Sequence, residues 1–214
     1  MPLLLSMLAG IVALVMLYQS GLSRSNPLIF WVAFAGILIV VKASDLISRR
    51  LDRTWGAGAR GEERVGRCLA DLESRGWAVF HDVEVEGWNI DHVAVGPTGV
   101  FTIETKSHAG RISFDGQKLL RNNRPLEKDF LKQAKGECMW LKAELADAGH
   151  TGFVTPIVCF TRAFVVASPI TAGTVRVVPL KWLPQTLTHG KARYQAAELD
   201  TLQAAVRAIC SARR

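Results

Sequence analysis

The stretch that decides the fold is Ile90-Asp91-His92-Val93-Ala94-Val95-Gly96-Pro97-Thr98-Gly99-Val100-Phe101-Thr102-Ile103-Glu104-Thr105-Lys106. It reads as two short apolar strands that a Gly-Pro-Thr-Gly turn joins into a hairpin. Three charged residues interrupt the apolar pattern: Asp91 in the first strand, and Glu104 and Lys106 in the second. Because side chains alternate along a strand, Glu104 and Lys106 share one face. Ionic groups in such core-like strands are costly unless they are paired, solvated or bound to a metal.

Two carboxylates and an amine in this arrangement are typical of a divalent-cation site. Magnesium prefers oxygen ligands, so Asp91 and Glu104 are the candidate ligands. Lys106 would then supply a point charge for a phosphate or a water molecule. The same three residues also fit a purely structural ion-pair network, which needs no metal.

The hairpin and its neighbours resemble the PD-(D/E)xK nuclease superfamily and, within it, the nuclease-related domain (NERD) family. The superfamily pattern is an aspartate, a hairpin and then Glu-x-Lys. The family elements are Gly58-Ala59-Arg60-Gly61-Glu62-Glu63-Arg64-Val65, Ile90-Asp91-His92, the run from Gly96 to Lys106, Gly110 and Gln133. An isolated Glu-x-Lys carries little information, whereas these elements in this order are specific. The resemblance covers residues 57 to 145.

The resemblance implies an α/β fold, with a restriction-endonuclease-like mixed sheet flanked by helices. It implies a nuclease dependent on Mg²⁺ or Mn²⁺, with nucleic acid as its partner and DNA as the expected form. Lys106, Glu104, Asp91, Glu62 and Gln133 would be the catalytic residues, and Asp91, Glu104 and Glu62 the metal ligands. Without the resemblance, Glu62 is explained by the helix dipole, and Gln133 is an ordinary boundary residue of a helix.

A non-catalytic nucleic-acid-binding or scaffolding module tethered to a membrane is the alternative function. From Lys42 onward the chain carries 25 of its 26 Lys+Arg and all 19 Asp+Glu, an excess of six positive charges. That excess gives only mild steering of a polyanion. Arg111, Lys118, Arg121 and Arg124 make one region basic. They suit either a grip on a phosphate backbone or a solvated sheet edge that resists strand pairing.

The first 43 residues predict a membrane anchor. Met1–Tyr18 has no charged side chain, and Leu28–Val41 is a second uncharged run. Trp31 and Lys42 suit interfacial anchoring, and the basic residues that follow place the C-terminal domain in the cytoplasm by the positive-inside rule. A signal peptide and a buried core helix are the alternatives. The predicted organisation is two transmembrane helices in the lipid bilayer at 1–43, a juxtamembrane linker at 44–57 and a nuclease-like domain at 58–214.

The periodicity of the remaining chain predicts helices and strands in alternation. Helices are expected at Glu62–Arg75, Asp129–Ala148 and Ala192–Ala212, and strands at Trp77–Val85, Ile157–Phe160, Phe164–Ala167 and Thr174–Val178. A further hairpin is expected to turn at Asp115-Gly116. This order predicts a mixed sheet flanked by helices.

Histidines and cysteines offer weaker signals. His92 alternates to the face opposite Asp91, so it is expected to satisfy a hydrogen bond and not to bind the same metal. His108 is nearer the expected cleft, and His81 is a further candidate ligand. The four cysteines are widely separated and form no Cys-x-x-Cys pair, which indicates small buried side chains in a reducing compartment.

Overall fold

The computed structural model describes residues 27–211 together with Val12, Val15, Met16 and Gln19. The chain divides into two compact units, Met1–Ala57 and Gly58–Arg214. Helix α1 spans Pro27–Glu73, and its residues from Gly58 onward belong to the second unit. Residues 44–57, for which the sequence predicted a linker, are helical.

The predicted membrane hairpin is corrected by the structure. In the described part of the chain, no helix combines the length and the apolar character that crossing a bilayer requires. The uncharged run Leu28–Val41 has 14 residues, a rise of about 21 Å against a hydrocarbon layer of about 30 Å. Met1–Tyr18 lies outside the described residues except for Val12, Val15 and Met16. The predicted localisation as a two-span membrane protein is therefore wrong, and lipid contact through residues 1–43 is not supported.

The second unit is built on a sheet to which eight strands of the described chain contribute. The strands are β1 Ala78–Val85, β2 Trp88–Gly96, β3 Gly99–Phe114, β4 Leu119–Arg121, β5 Arg124–Pro125, β6 Val154–Val165, β7 Ile170–Ala172 and β8 Val175–Pro179. The order along the sheet is β1-β2-β3-β6-β8-β7, and β4 and β5 branch from β3. Pairing is antiparallel among β1, β2 and β3, and parallel from β3 to β6 and from β6 to β8. The predicted mixed α/β sheet is confirmed.

Helices flank the sheet. Helix α2 spans Phe130–Asp147, a 3₁₀ turn at Leu180–Trp182 leads into α3 at Leu183–Thr188, and α4 spans Ala196–Ser211. Asp129 caps α2, because its side chain accepts a hydrogen bond from the backbone N–H of Lys132 at 3.0 Å. Helix α4 begins four residues later than the sequence predicted.

Strand β3 is the longest strand and passes through the middle of the sheet. The sequence predicted a strand to Lys106 and a separate hairpin after it, but β3 continues to Phe114 and pairs there with β4. Its parallel register with β6 shifts between Lys106 and Ala109. Strand β6 likewise joins the two strands predicted at Ile157–Phe160 and Phe164–Ala167, because its distal half pairs with the distal half of β3.

Alternation along β3 separates the two faces of the sheet. Ile103 packs against Val65 and Leu69 of α1, in a core that also includes α3. On the other face α2 packs over β6, where Phe130 and Ala134 share a core with Phe160. Glu104 follows Ile103 in the strand, so it is directed to the side that α2 covers.

The hairpin turn depends on a glycine that leaves room for an indole ring. Gly96 pairs with Gly99 at the end of β2, and a Cβ atom at Gly96 would overlap the ring of the buried Trp77. That ring stacks on Phe101 with the two ring centroids 5.9 Å apart. The turn and the core under it therefore require glycine at this position.

We expect Gly96→Ala to lower the free energy of unfolding by about 1–3 kcal/mol, the usual effect of overpacking a core. The matched control is Gly136→Ala within α2, where an added Cβ meets no atom within 4 Å. That change should stabilise the chain by about 0.5–1 kcal/mol, because alanine favours a helix interior over glycine. Urea denaturation of both variants measures the difference, and equal stability of the two would contradict the packing argument.

Candidate functional site

Asp91 lies where strands β2 and β3 part. Their last paired residues are His92 and Ile103, so Asp91 is one residue beyond the ladder. The Oδ2 atom of Asp91 accepts a hydrogen bond of 2.7 Å from the backbone N–H of Thr105. This bond fixes the carboxylate beside the segment of β3 that carries Glu104 and Lys106, so the hairpin brings all three sequence-predicted groups together.

Glu104 and Lys106 form an ion pair at the centre of the sheet. The Nζ atom of Lys106 donates a hydrogen bond to Oε1 of Glu104, as expected for two residues on one face of a strand. Glu104 is only 2% exposed, and its Oε2 atom has no hydrogen-bond partner among the described residues. The Lys106 ammonium also lies 4.6 Å from the centroid of the Phe130 ring. The Oε1 atom of Glu104 is thus paired with Lys106, whereas Oε2 is buried without a hydrogen-bond partner among the described residues.

Glu137 brings a further carboxylate to the site from helix α2. It is 1% exposed, and neither of its carboxylate oxygens makes a hydrogen bond of ordinary geometry within the described part of the chain. Burial, reinforced by the adjacent carboxyl group of Glu104, raises the pKa of Glu137 to about 9. The side-chain amide of Gln133, one helical turn earlier, lowers the pKa of Glu137 and so opposes that shift. Gln133 therefore influences the protonation of Glu137.

The pKa of Asp91 is raised in the same way as that of Glu137. Burial and the neighbouring Glu104 raise the pKa of Asp91 to about 7, against the opposing effects of the Thr105 N–H and Lys106. Carboxylates that share a site raise one another's pKa because each disfavours the ionised form of the next. The ammonium of Lys106 therefore pairs with Glu104 and also lowers the pKa of Asp91.

Glu62 reaches the edge of this cluster from helix α1. The helix approaches the sheet closely, since a Cβ at Gly61 would lie 3.2 Å from Oγ1 of Thr161 and 3.4 Å from Cβ of Ser107. Glu62 is half-buried, and its pKa is raised by burial, then by Asp82 and Glu104. Its neighbour Glu63 is exposed. Glu62 is thus within electrostatic range of the Glu104 site.

The acidic groups do not form a ready-made coordination shell. As the side chains stand, no set of three or more His, Cys, Asp or Glu residues in the described ranges is placed to hold a metal ion. In the same arrangement the Lys106 ammonium is bonded to Glu104. The geometry establishes a cluster of acidic groups, and the metal remains a proposal.

The histidines lie in two different places. His81 and His92 face each other across β1 and β2, with their Nδ1 atoms 2.7 Å apart. Burial and then the charge of His81 lower the pKa of His92 to about 3, so His92 is neutral and hydrogen-bonded to its partner. His108 instead lies near Lys106, with its ring centroid 5.3 Å from that of Phe130. All four cysteines are free.

Sequence reasoning missed Glu137, although the sequence contained a signal for it. The predicted apolar stripe of α2 included Phe130, Ala134, Cys138, Leu141 and Leu145, and the structure buries all five. Glu137 falls three residues after Ala134 and four before Leu141, which is a position on the same stripe. A carboxylate at such a position is costly unless a partner meets it, so its presence there indicates a function.

Comparison with known proteins supports part of the resemblance. Residues 57–161 match the family model of the nuclease-related domain (NERD). Over 81 residues the chain is 31% identical to an uncharacterized protein of Bacillus anthracis, an alignment that covers 36% of this chain and 37% of that relative. No solved structure matches the chain at a significant level. A nuclease-related domain is therefore found at residues 57–161, and this segment contains the whole acidic cluster.

We expect the stability of the chain in chelator to fall as the pH rises from about 4 to about 9. Folding raises the pKa of Asp91 from 3.8 to about 7 and that of Glu137 from 4.5 to about 9. The folded chain therefore binds more protons than the unfolded chain across this window, and the stability from these groups is lost as each ionises. Urea denaturation at a series of pH values measures the decline.

Glu137→Gln should remove the part of the decline that lies between pH 7 and pH 9, since glutamine cannot ionise. The control is Asp147→Asn, which removes an exposed carboxylate from the same helix outside the cluster and should show the same decline as wild type. Parallel profiles for wild type and Glu137→Gln above pH 7 would show that the Glu137 carboxyl group is already ionised in the folded chain.

Proposed function

We propose that the nuclease-related domain of this chain is a divalent-cation-dependent nuclease that hydrolyses phosphodiester bonds of nucleic acid, with DNA as the expected substrate. The observation that carries the proposal is the cluster of the half-buried Asp91 with the buried Glu104 and Glu137, in which Lys106 pairs with Glu104. Strongly perturbed acidic groups of this kind concentrate at functional sites. The family match supplies the class of chemistry.

The donor set fits a hard divalent cation. Oε2 of Glu104 and both oxygens of Glu137 are buried without hydrogen-bond partners among the described residues. Such oxygens are costly to ionise in a low-dielectric interior, and a bound cation would neutralise them. Carboxylate oxygens suit Mg²⁺ and Mn²⁺. Asp91 and Glu104 would hold the ion, with Glu62 as a further ligand at the edge of the cluster.

The residues of the chain have separate roles in the proposed reaction. A bound divalent ion would polarise a phosphate oxygen and lower the pKa of a water molecule. Lys106, steadied by Glu104 and the face of Phe130, would orient that water or stabilise the charge that develops on the phosphate. The Thr105 N–H holds the Asp91 carboxylate in place, and Gln133 would favour the ionised form of Glu137.

A purely structural ion-pair network explains less of the site. It accounts for Lys106 and Glu104, which are bonded to each other. It leaves Asp91 and Glu137 as acidic groups whose pKa values are raised by burial and by like charge. A binding module without catalysis has no use for such groups either, because carboxylates repel phosphates when no cation lies between them.

We expect Asp91→Asn and Lys106→Ala each to reduce Mg²⁺- or Mn²⁺-dependent cleavage of DNA by at least about 100-fold, the effect of losing a group that stabilises transition-state charge. Lys191→Ala, which removes an exposed lysine outside both the acidic cluster and the basic region, is the control and should cleave normally. A gel assay with labelled DNA measures the rates, and circular dichroism checks the fold. The proposal would be contradicted if both site variants cleaved at the wild-type rate, or if the wild-type chain cleaved equally fast with divalent ion and with chelator.

Metal binding can be measured without catalysis. Asp91→Asn and Glu104→Gln should each weaken the binding of Mn²⁺ in titration calorimetry by at least about tenfold, because each removes a charged ligand from a site with few ligands. Glu63→Gln removes an exposed carboxylate next to Glu62 and serves as the control. If the wild-type chain takes up no Mn²⁺ at the site, the ion-pair network is the better account.

A further inference from the structure

A basic groove opens beside the acidic cluster. Its volume is about 810 Å³, and Lys106, Arg121, Arg124 and Lys128 line it together with His108 and Phe130. Glu127 is the single acidic residue among the lining residues. Lys106 thus belongs to both places: its ammonium is bonded to Glu104, and its side chain forms part of the groove wall. A ligand in the groove would lie next to the acidic cluster.

The arginines of the groove are carried on a turn with a defined conformation. Asn122 and Asn123 connect β4 to β5, with φ values of 51° and 64°. Left-handed conformations at both central residues are typical of a tight hairpin turn, and asparagine tolerates them well. Arg121 and Arg124 flank this turn and pair with each other across it. Their backbone positions are therefore set by the turn.

The turn is fastened to strand β3. The backbone N–H of Arg111 donates to Oδ1 of Asn122 at 2.9 Å, and the N–H of Asn122 donates to the carbonyl of Arg111 at 2.9 Å. Gly110 makes room for this contact, since a Cβ there would lie 2.8 Å from the same Oδ1 atom and its φ is 111°. The basic turn is thus held on the strand that also carries Glu104 and Lys106.

Three of the groove's four cations lack an ion-pair partner among the described residues. Arg121, Arg124 and Lys128 make no ion pair with an acidic side chain in the part of the chain that the structure describes. The field reaches into the groove, because Arg121 and Lys106 both lower the pKa of His108 in addition to the effect of its burial. A site with unpaired cations and a fixed frame is suited to an anionic ligand that extends over several charges.

We propose that this groove binds the phosphodiester backbone of a nucleic-acid strand next to the acidic cluster, with Arg121 and Arg124 each contacting a phosphate. This inference rests on the proposed function, since it names where the substrate of that site lies. The cations come from β3, from the β4–β5 hairpin and from the segment before α2, and they line a groove of about 810 Å³, which favours a polymer over a single phosphate. Arginine also presents a planar fork that matches phosphate oxygens.

The test is binding of a fluorescein-labelled single-stranded DNA oligonucleotide to the full chain in EDTA, followed by anisotropy over a series of salt concentrations. Arg121→Ala with Arg124→Ala should weaken binding at least tenfold at low salt. It should also reduce the slope of log affinity against log salt by about 1.4, since each phosphate contact on a single strand contributes about 0.7. The control is Lys181→Ala with Arg207→Ala, which removes the same charge elsewhere and should weaken binding less than twofold.

Two outcomes would overturn the inference. Equal weakening by the two double variants would show that net charge alone binds the strand, and unchanged binding by the groove variant would show that the strand lies elsewhere. The chelator suppresses metal-dependent cleavage, so this readout is independent of the Asp91→Asn and Lys106→Ala assays. Failure of those assays with a positive result here would contradict catalysis and leave the groove as a binding site.

Discussion

The burial of a glutamate side chain in the central strand is the constraint on which the rest of this structure depends. Glu104 is 2% exposed and lies on β3, the strand between β2 and β6. An unpaired charge in that position would cost several kcal/mol, so its surroundings must compensate. The Lys106 ammonium donates one hydrogen bond to Glu104. The N–H of Thr105, the next residue, donates to Asp91 and so holds a second carboxylate beside Glu104.

The two faces of the sheet differ in composition: one packs into a hydrophobic core, and the other carries buried acidic side chains. The side that carries Ile103 is closed by a hydrophobic core to which α1 and α3 contribute. The side that carries Glu104 meets helix α2, whose otherwise apolar stripe presents Glu137 to it. The close approach of Gly61 lets α1 bring Glu62 to the edge of the cluster as well. Each acidic group therefore comes from a different element, and only the folded sheet assembles them.

Much of this arrangement could be predicted from the sequence because it depends on local periodicity. The turn at Gly96–Gly99 and the alternation of Ile103 with Glu104 follow from patterns within a few residues. Contacts between distant elements were not predictable in this way. The position of Glu137 opposite Glu104 depends on how α2 crosses the sheet, and the continuous strand β6 depends on the distal half of β3. The bilayer prediction failed because a run of 14 uncharged residues continues into a charged helix.

Strand β3 carries both Lys106 and Ile112, and Ile112 pairs with Arg121 at the basic turn. The six residue steps from Lys106 to Ile112 correspond to at most about 20 Å of extended backbone. The strand passes through an irregularity between Lys106 and Ala109 but contains no loop, so the backbone sets the spacing between the acidic cluster and the basic turn. If a nucleic-acid strand binds at the turn as proposed, β3 would set the distance along that strand from the bound phosphate to the bond that faces the acidic cluster, whatever the base sequence.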